Sequence, residues 1–337
     1  MAEDPYLSLT SRERLELIDA ASRQSGLAPA ILEKDYWVCQ VLDALFTLPG
    51  LGGHLVFKGG TSLSKVYRLI DRFSEDVDVS FHRDFLGFGD DRDPEAATGK
   101  EQARRIEALQ QACWDCIRQK LFPELRESMA RRLGSGEGWT MEIDSQDAQT
   151  ILFRFPQAGG PGLDYIAPTV RIELGARSDH WPSEDHPIRS YLGEALAQPI
   201  GAARVRSLAA ERTFWEKATL LHAEAHRDLA KPMPARYARH YHDLARMAVS
   251  PMAECALADV ALRQRVVAHK SVYFRSGWAR YDLAVPATFR LLPPAERLPE
   301  LKADHRKMAP MFFALPPSIE AVLETLGQLE ARIQAIP

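Results

Sequence analysis

Residues 76–81, Asp-Val-Asp-Val-Ser-Phe, alternate strictly between polar and apolar side chains. At a period of two, Val77, Val79 and Phe81 take one face of a strand and Asp76, Asp78 and Ser80 the other, which predicts a half-buried strand with two carboxylates on its polar side. Just ahead, the apolar run Leu55-Val56-Phe57 is stopped by Gly59-Gly60. Helical spacing then resumes from Thr61 to Ile70 through Leu63, Val66 and Tyr67. The order strand, glycine turn, helix, acidic strand constrains the chain more than any other feature.

The rest of the chain splits by pattern. Ser11 is placed to cap a first helix through Leu15, Ile18 and Ala21, and a second starts near Pro29 and carries Ile31, Tyr36, Trp37, Val41, Leu42 and Leu45. A loop over Phe85 to Gly99 precedes a long helix from Lys100 to Arg132, and Thr140–Ile143, Thr150–Phe155 and Thr169–Leu174 read as strands. From Arg206 strand signals fade, and helices follow, broken at 231–234 and at Pro293-Pro294. The expected class is α+β, with a mixed α/β lobe over residues 1–200, including the N-terminal helices, and a helical lobe over 201–337.

A length of 337 residues with 46% hydrophobic content suits two such domains. The net charge of -4 offers phosphate polymers no global attraction, so nucleic-acid contact requires a local basic surface. No basic leader opens the sequence and no run is long enough to cross a bilayer, so the expectation is a cytoplasmic protein without a membrane partner. Cys39, Cys113, Cys116 and Cys255 suit reduced thiols rather than a disulfide framework, and the pair at 113 and 116, on a helix with no second pair, predicts packing rather than zinc.

A strand that ends in glycines and feeds a helix brings free amides and a positive helix end to an anion. Gly59 and Gly60 supply the backbone, Thr61 and Ser62 add hydroxyls, and Lys65, one turn on, can bring a positive charge to the same oxygens. An ordinary capped turn has the same spacing, and a Walker loop is excluded because Leu63-Ser64-Lys65-Val66 lacks its glycine and its following hydroxyl. Asp76 and Asp78 can share hard divalent cations, magnesium or manganese, with phosphate oxygens, which is the chemistry of nucleotide transfer. Glu173, in Val170-Arg171-Ile172-Glu173-Leu174, is the candidate third carboxylate, as ligand or base; the plainer alternative pairs it with Arg171 or Arg177.

Phe57-Lys58-Gly59-Gly60-Thr61-Ser62-Leu63, followed by Arg72-Phe73-Ser74-Glu75-Asp76-Val77-Asp78, resembles the AbiEii/AbiGii family of nucleotidyltransferase toxins in the polymerase-β-like superfamily. Arg212-Thr213-Phe214-Trp215-Glu216-Lys217 and Arg239-His240-Tyr241-His242-Asp243-Leu244 are similar to its third and fourth motifs, and the likeness covers nearly the whole chain. The resemblance implies a polymerase-β-like lobe with a mixed sheet plus a helical C-terminal lobe, with catalysis between them. It implies triphosphate on Gly60, Thr61 and Ser62, metal on Asp76 and Asp78, phosphate contact by Lys217, and an active site completed by Asp243. One departure is His242, where a second tyrosine is common. It further implies a toxin of the type IV toxin–antitoxin or phage-defence kind, an antitoxin encoded nearby, a nucleoside triphosphate donor and, as acceptor, the 3′ end of transfer RNA.

Two other readings stay open: nucleotidylation of a protein or small molecule, and an inactive module that binds nucleotide or RNA. Without the resemblance, Lys217 reads as a surface lysine paired with Glu216 or Glu224, and Asp243 as an i, i+4 partner of Arg239. The excess of basic residues from Arg204 to Arg246, with Tyr237 and Tyr241 as flat surfaces, suggests a groove for single-stranded RNA.

Overall fold

The computed structural model describes residues 4–96, 98–134, 138–159 and 167–336; Met1-Ala2-Glu3 and, within the expected loop, Ala97 lie outside them. The chain divides into one unit of residues 1–66 and 73–208 and a second of residues 67–72 and 209–337.

In the first unit, α1 (Ser11–Ser25) is capped by Thr10 rather than Ser11. The Thr10 hydroxyl accepts the Glu13 N–H while the Glu13 carboxylate accepts the Thr10 N–H, so two orphan amides are satisfied reciprocally. Helix α2 (Pro29–Phe46) is buried from Ile31 to Leu45, not along a stripe. Its charged residues survive burial by pairing, Lys34 with Glu75 at 2.6 Å, Asp35 with Lys65 at 2.9 Å and Asp43 with Arg132 at 2.7 Å.

Strand β1 (Leu55–Lys58) enters α3 (Gly59–Lys65), which ends earlier than its apolar spacing suggests. Arg68 adopts a left-handed backbone at φ 53, and residues 67–72 leave for the second unit before the chain returns to β2 (Asp76–Phe81). Helix α4 (Gly99–Cys116) carries both Cys113 and Cys116 and meets α5 (Phe122–Leu133) through one π-helical turn, where the Phe122 N–H reaches the Ile117 carbonyl ahead of Pro123. Strands β3 (Thr140–Ile143), β4 (Thr150–Arg154) and β5 (Thr169–Gly175) follow the sequence reading closely. Unanticipated are β6 (Ser183–Ile188), α6 (Tyr191–Ala195) and β7 (Ala203–Leu208).

Among the described residues these strands form one seven-stranded mixed sheet in the order β3-β4-β5-β2-β1-β7-β6. β2 lies between β5, parallel to it, and β1, antiparallel to it. The acidic strand is therefore central, and its apolar residues Val77, Val79 and Phe81 are wholly buried.

The second unit is helical: α7 (Ala210–Ala225), α8 (Ala238–Ala248), α9 (Met252–Ala258), α10 (Val260–Tyr273), α11 (Leu298–Lys307) and α12 (Ile319–Gln334). Phe214, Trp215, Tyr241 and Phe289 fill its core, and the Trp215 indole donates to the Ala256 carbonyl at 2.9 Å. Among the described residues no helix is long and apolar enough to cross a membrane.

Candidate active site

Strand register decides which carboxylates are neighbours. Asp78 lies opposite Lys58 of β1 on one side and opposite Glu173 of β5 on the other, while Asp76 lies opposite Arg171. Residues directly opposite in adjacent strands share a face, so Lys58, Asp76, Asp78, Arg171 and Glu173 line one polar surface of the sheet. Lys58 Nζ stands 3.9 Å from Asp78 Oδ1, and Arg171 Nε 3.8 Å from Glu173 Oε1. The ion pair with Arg171 that the sequence allowed is thus present, and the same register sets Glu173 beside Asp78. Lys58 had drawn no role in the sequence reading; its position as the last strand residue before Gly59 was the available signal.

The glycine turn closes directly on this surface. Gly59 has φ +81, and a Cβ there would collide with Asp78 Oδ2, so only glycine lets the turn and the carboxylate approach so closely. No side chain at Lys58, the residue preceding α3, caps the amides of the first turn, which remain available to an anion.

The hydroxyls beyond the turn are used differently from the expectation. Thr61 is wholly buried, and its Oγ1 donates to the Asp76 carbonyl and lies 2.9 Å from Ser74 Oγ. Ser62, also wholly buried, donates to the Gly59 carbonyl at 2.9 Å. Both hold the turn and the start of β2 together. Lys65 is turned away from the expected phosphate contact: its ammonium is buried, bonds Asp35 and sits 3.7 Å from the centroid of the Tyr191 ring. A buried Asp35 needs a cation, and Lys65 is the one supplied.

The donor set fits a hard divalent ion. Two carboxylates project from one strand face beside uncapped amides, and oxygen ligands of this kind suit magnesium or manganese. Among the described residues no three His, Cys, Asp or Glu groups come together where they could hold a metal ion, so the donor set is the aspartate pair, without Glu173 as a third ligand.

Lys217 and Asp243 lie in the second unit and meet each other there. Asp243 is wholly buried; its Oδ1 accepts from Arg72 Nε at 2.8 Å, and its Oδ2 accepts from Arg72 Nη2 at 2.7 Å and from Lys217 Nζ at 2.9 Å. Arg72 and Lys217 thus supply partners that hold this carboxylate. Lys217 in turn is buried against Asp243 rather than paired at the surface with Glu216 or Glu224; Glu216 takes Arg212 and Glu224 takes Arg227.

Burial alone would raise the Asp243 pKa, but Arg72 and then Lys217 overcome it and hold the carboxyl well below its ordinary value. Lys217 is pulled below the usual lysine value, first by burial and further by Arg72, with Asp243 only partly compensating. One carboxylate thus accepts from two cations. His240 Nδ1 lies 3.4 Å from the ammonium, and burial with the neighbouring cation drives its pKa far down, so a neutral ring can accept from Lys217.

His242 is wholly buried, edge-on to Phe312 and 3.4 Å from Asp71. Tyr241 is likewise buried and Tyr237 mostly so, which removes Tyr241 as a stacking surface for RNA bases. Arg72 is the participant the sequence reading overlooked, although it begins the second motif.

Residues 40–325 match the family model described as "Nucleotidyl transferase AbiEii toxin, Type IV TA system". No curated protein matches the sequence significantly. Among solved structures, the chain is similar to MenT4, a nucleotidyltransferase toxin from Mycobacterium tuberculosis H37Rv, with a TM-score of 0.54 and 18% identity over 95% of this chain and 90% of that one. At this identity the likeness is one of fold, the α+β architecture described above.

Proposed function

We propose that this chain, which belongs to the AbiEii family of nucleotidyltransferase toxins of type IV toxin–antitoxin systems, transfers a nucleotide from a nucleoside triphosphate to the 3′ end of transfer RNA. The observation that carries this reading is the register that sets Asp78 between Lys58 and Glu173 with Gly59 against its carboxylate. The uncapped amides at Gly59 and Gly60 take phosphate oxygens, and Asp76 and Asp78 hold magnesium or manganese. When bound, the ion neutralises charge on the triphosphate and stabilises the leaving pyrophosphate.

Glu173 takes the proton of the acceptor hydroxyl. The freed oxygen bonds the α-phosphorus, and the bond from that phosphorus to the bridging oxygen breaks to release pyrophosphate. Thr61 holds the Asp76 backbone in place from behind. The family likeness assigns Lys217 to phosphate, and within the second unit Asp243, shared with Arg72, keeps its ammonium in position. The reading places the protein in the cytoplasm with a neighbouring antitoxin, in toxin–antitoxin control or phage defence.

Incubating the full chain with α-labelled triphosphates, magnesium and separate pools of transfer RNA, cellular protein and small metabolites tests it. Label on transfer RNA that vanishes in Asp78→Asn supports the proposal. Label only on protein or metabolites moves the acceptor, and no transfer with retained cellular toxicity in Asp78→Asn overturns the catalytic reading.

A further inference from the structure

Helix α10 and the segment 284–287 of the second unit border a cavity of about 590 Å³ whose walls include Val260, Val267, Val285, Pro286 and Ile336. Among the described residues no acidic side chain lines it, and Arg263 is the one charged residue of its wall. Arg263 is only 5% exposed, and its Nη1 is buried without a hydrogen-bond partner. Its guanidinium carbon lies 6.0 Å from the centroid of the Trp215 ring, a contact too long to replace a counter-charge. Among the described residues no carboxylate forms an ion pair with Arg263.

A guanidinium stays protonated in proteins, so burial cannot relieve it by neutralisation as it relieves a lysine. A buried charge without a partner costs several times what a paired one costs. Other deeply buried cations of this chain, Lys34, Lys65, Arg72 and Lys217, have carboxylate partners. Arg263 faces an apolar cavity instead, and a few convergent polar groups in an apolar wall of this volume are the hallmarks of a small-molecule site.

We propose that this cavity binds a small molecule with one anionic head, a carboxylate, on an apolar body, with Arg263 as the partner of the head and the valine, proline and isoleucine walls covering the body. The site is independent of the nucleotidyl-transfer reading and lies wholly within the second unit.

Titration of the full chain with 8-anilinonaphthalene-1-sulfonate, displaced by decanoate or by its uncharged match decanamide, tests the assignment. One saturable site is expected, with decanoate displacing the dye at least about tenfold better than decanamide, since a charge-assisted hydrogen bond is at stake. Arg263→Met should lose that preference while keeping or raising the melting temperature, because it removes an unpaired buried charge. Val285→Glu, at a position 49% exposed and therefore safe for folding, should weaken decanoate by a similar factor through repulsion and competition for Arg263. Equal displacement by decanamide, undiminished decanoate binding in either variant, or a lower melting temperature in Arg263→Met would overturn the proposal; the last would make Arg263 a packing partner of Trp215.

Discussion

Asp243→Asn leaves the shape of the second unit's core almost unchanged and removes one negative charge from between two cations. The carboxylate accepts three charged hydrogen bonds, two from Arg72 and one from Lys217, with no solvent access. Hydrogen bonds to charged groups are worth about 1.5–3 kcal/mol each, but the asparagine retains one acceptor oxygen, so the loss is less than their sum. Removing one partner of a buried ion pair costs roughly 3–5 kcal/mol, and here the carboxylate serves two cations, which favours the upper end. For a unit of this size the melting transition should fall by on the order of 10–20 °C. Differential scanning calorimetry at neutral pH measures it.

The second arm of the experiment is Lys217→Met, alone and combined with Asp243→Asn. The double variant removes a cation that Asp243→Asn deprives of its carboxylate, so it should be less destabilised than the sum of the single variants by about 1–3 kcal/mol. A melting temperature for Asp243→Asn within about 2 °C of the parent, or additivity within about 0.5 kcal/mol, would refute the reasoning, because neither is compatible with a dry cluster sharing one charge.

Lys65→Met should destabilise by roughly 3–5 kcal/mol by stranding the Asp35 carboxylate, yet leave the KM for triphosphate within about twofold; a selective rise in KM would restore Lys65 to the phosphates. Gly59→Ala should cost about 1 kcal/mol in stability for its left-handed backbone and, by pushing Asp78 aside, reduce nucleotide transfer by about a hundredfold, read in a labelled-nucleotide assay. The depressed pKa of Lys217 sets an alkaline limb on kcat/KM that begins below 10.5, and Lys217→Arg should remove that limb even if it lowers the maximum. The sign for stability is opposite to that for activity. Between the folded value and 10.5 the unfolded chain binds the extra proton, so stability rises with pH across the window in which activity falls; a limb at or above 10.5 would contradict the burial of this ammonium.

What the sequence makes legible follows the range of the interaction. The face shared by Asp76 and Asp78 needs only the period of a strand, and the approach of Gly59 needs only the short return from α3 to β2. The contact of Glu173 with that face requires knowing that β5 pairs parallel to β2 in a particular register, which no local pattern encodes. β6 was hidden for a different reason: Ser-Glu-Asp-His-Pro-Ile is a polar edge strand with a proline, where propensity and periodicity both fail.

Charged side chains are the hardest case, because a motif names a residue without naming what it faces. Lys65 from its position after the glycine turn and Lys217 from the motif resemblance both suggest a phosphate ligand. Lys65 is committed to Asp35 and sits above an aromatic ring, one cation to one anion, with nothing left over. Lys217 shares Asp243 with Arg72, a residue 171 positions from that aspartate, and burial leaves this lysine with a lowered pKa. The partners of each lysine separate the two environments, a single carboxylate for Lys65 and a carboxylate shared with Arg72 for Lys217, and sequence position does not bring Arg72 or Asp35 together with them.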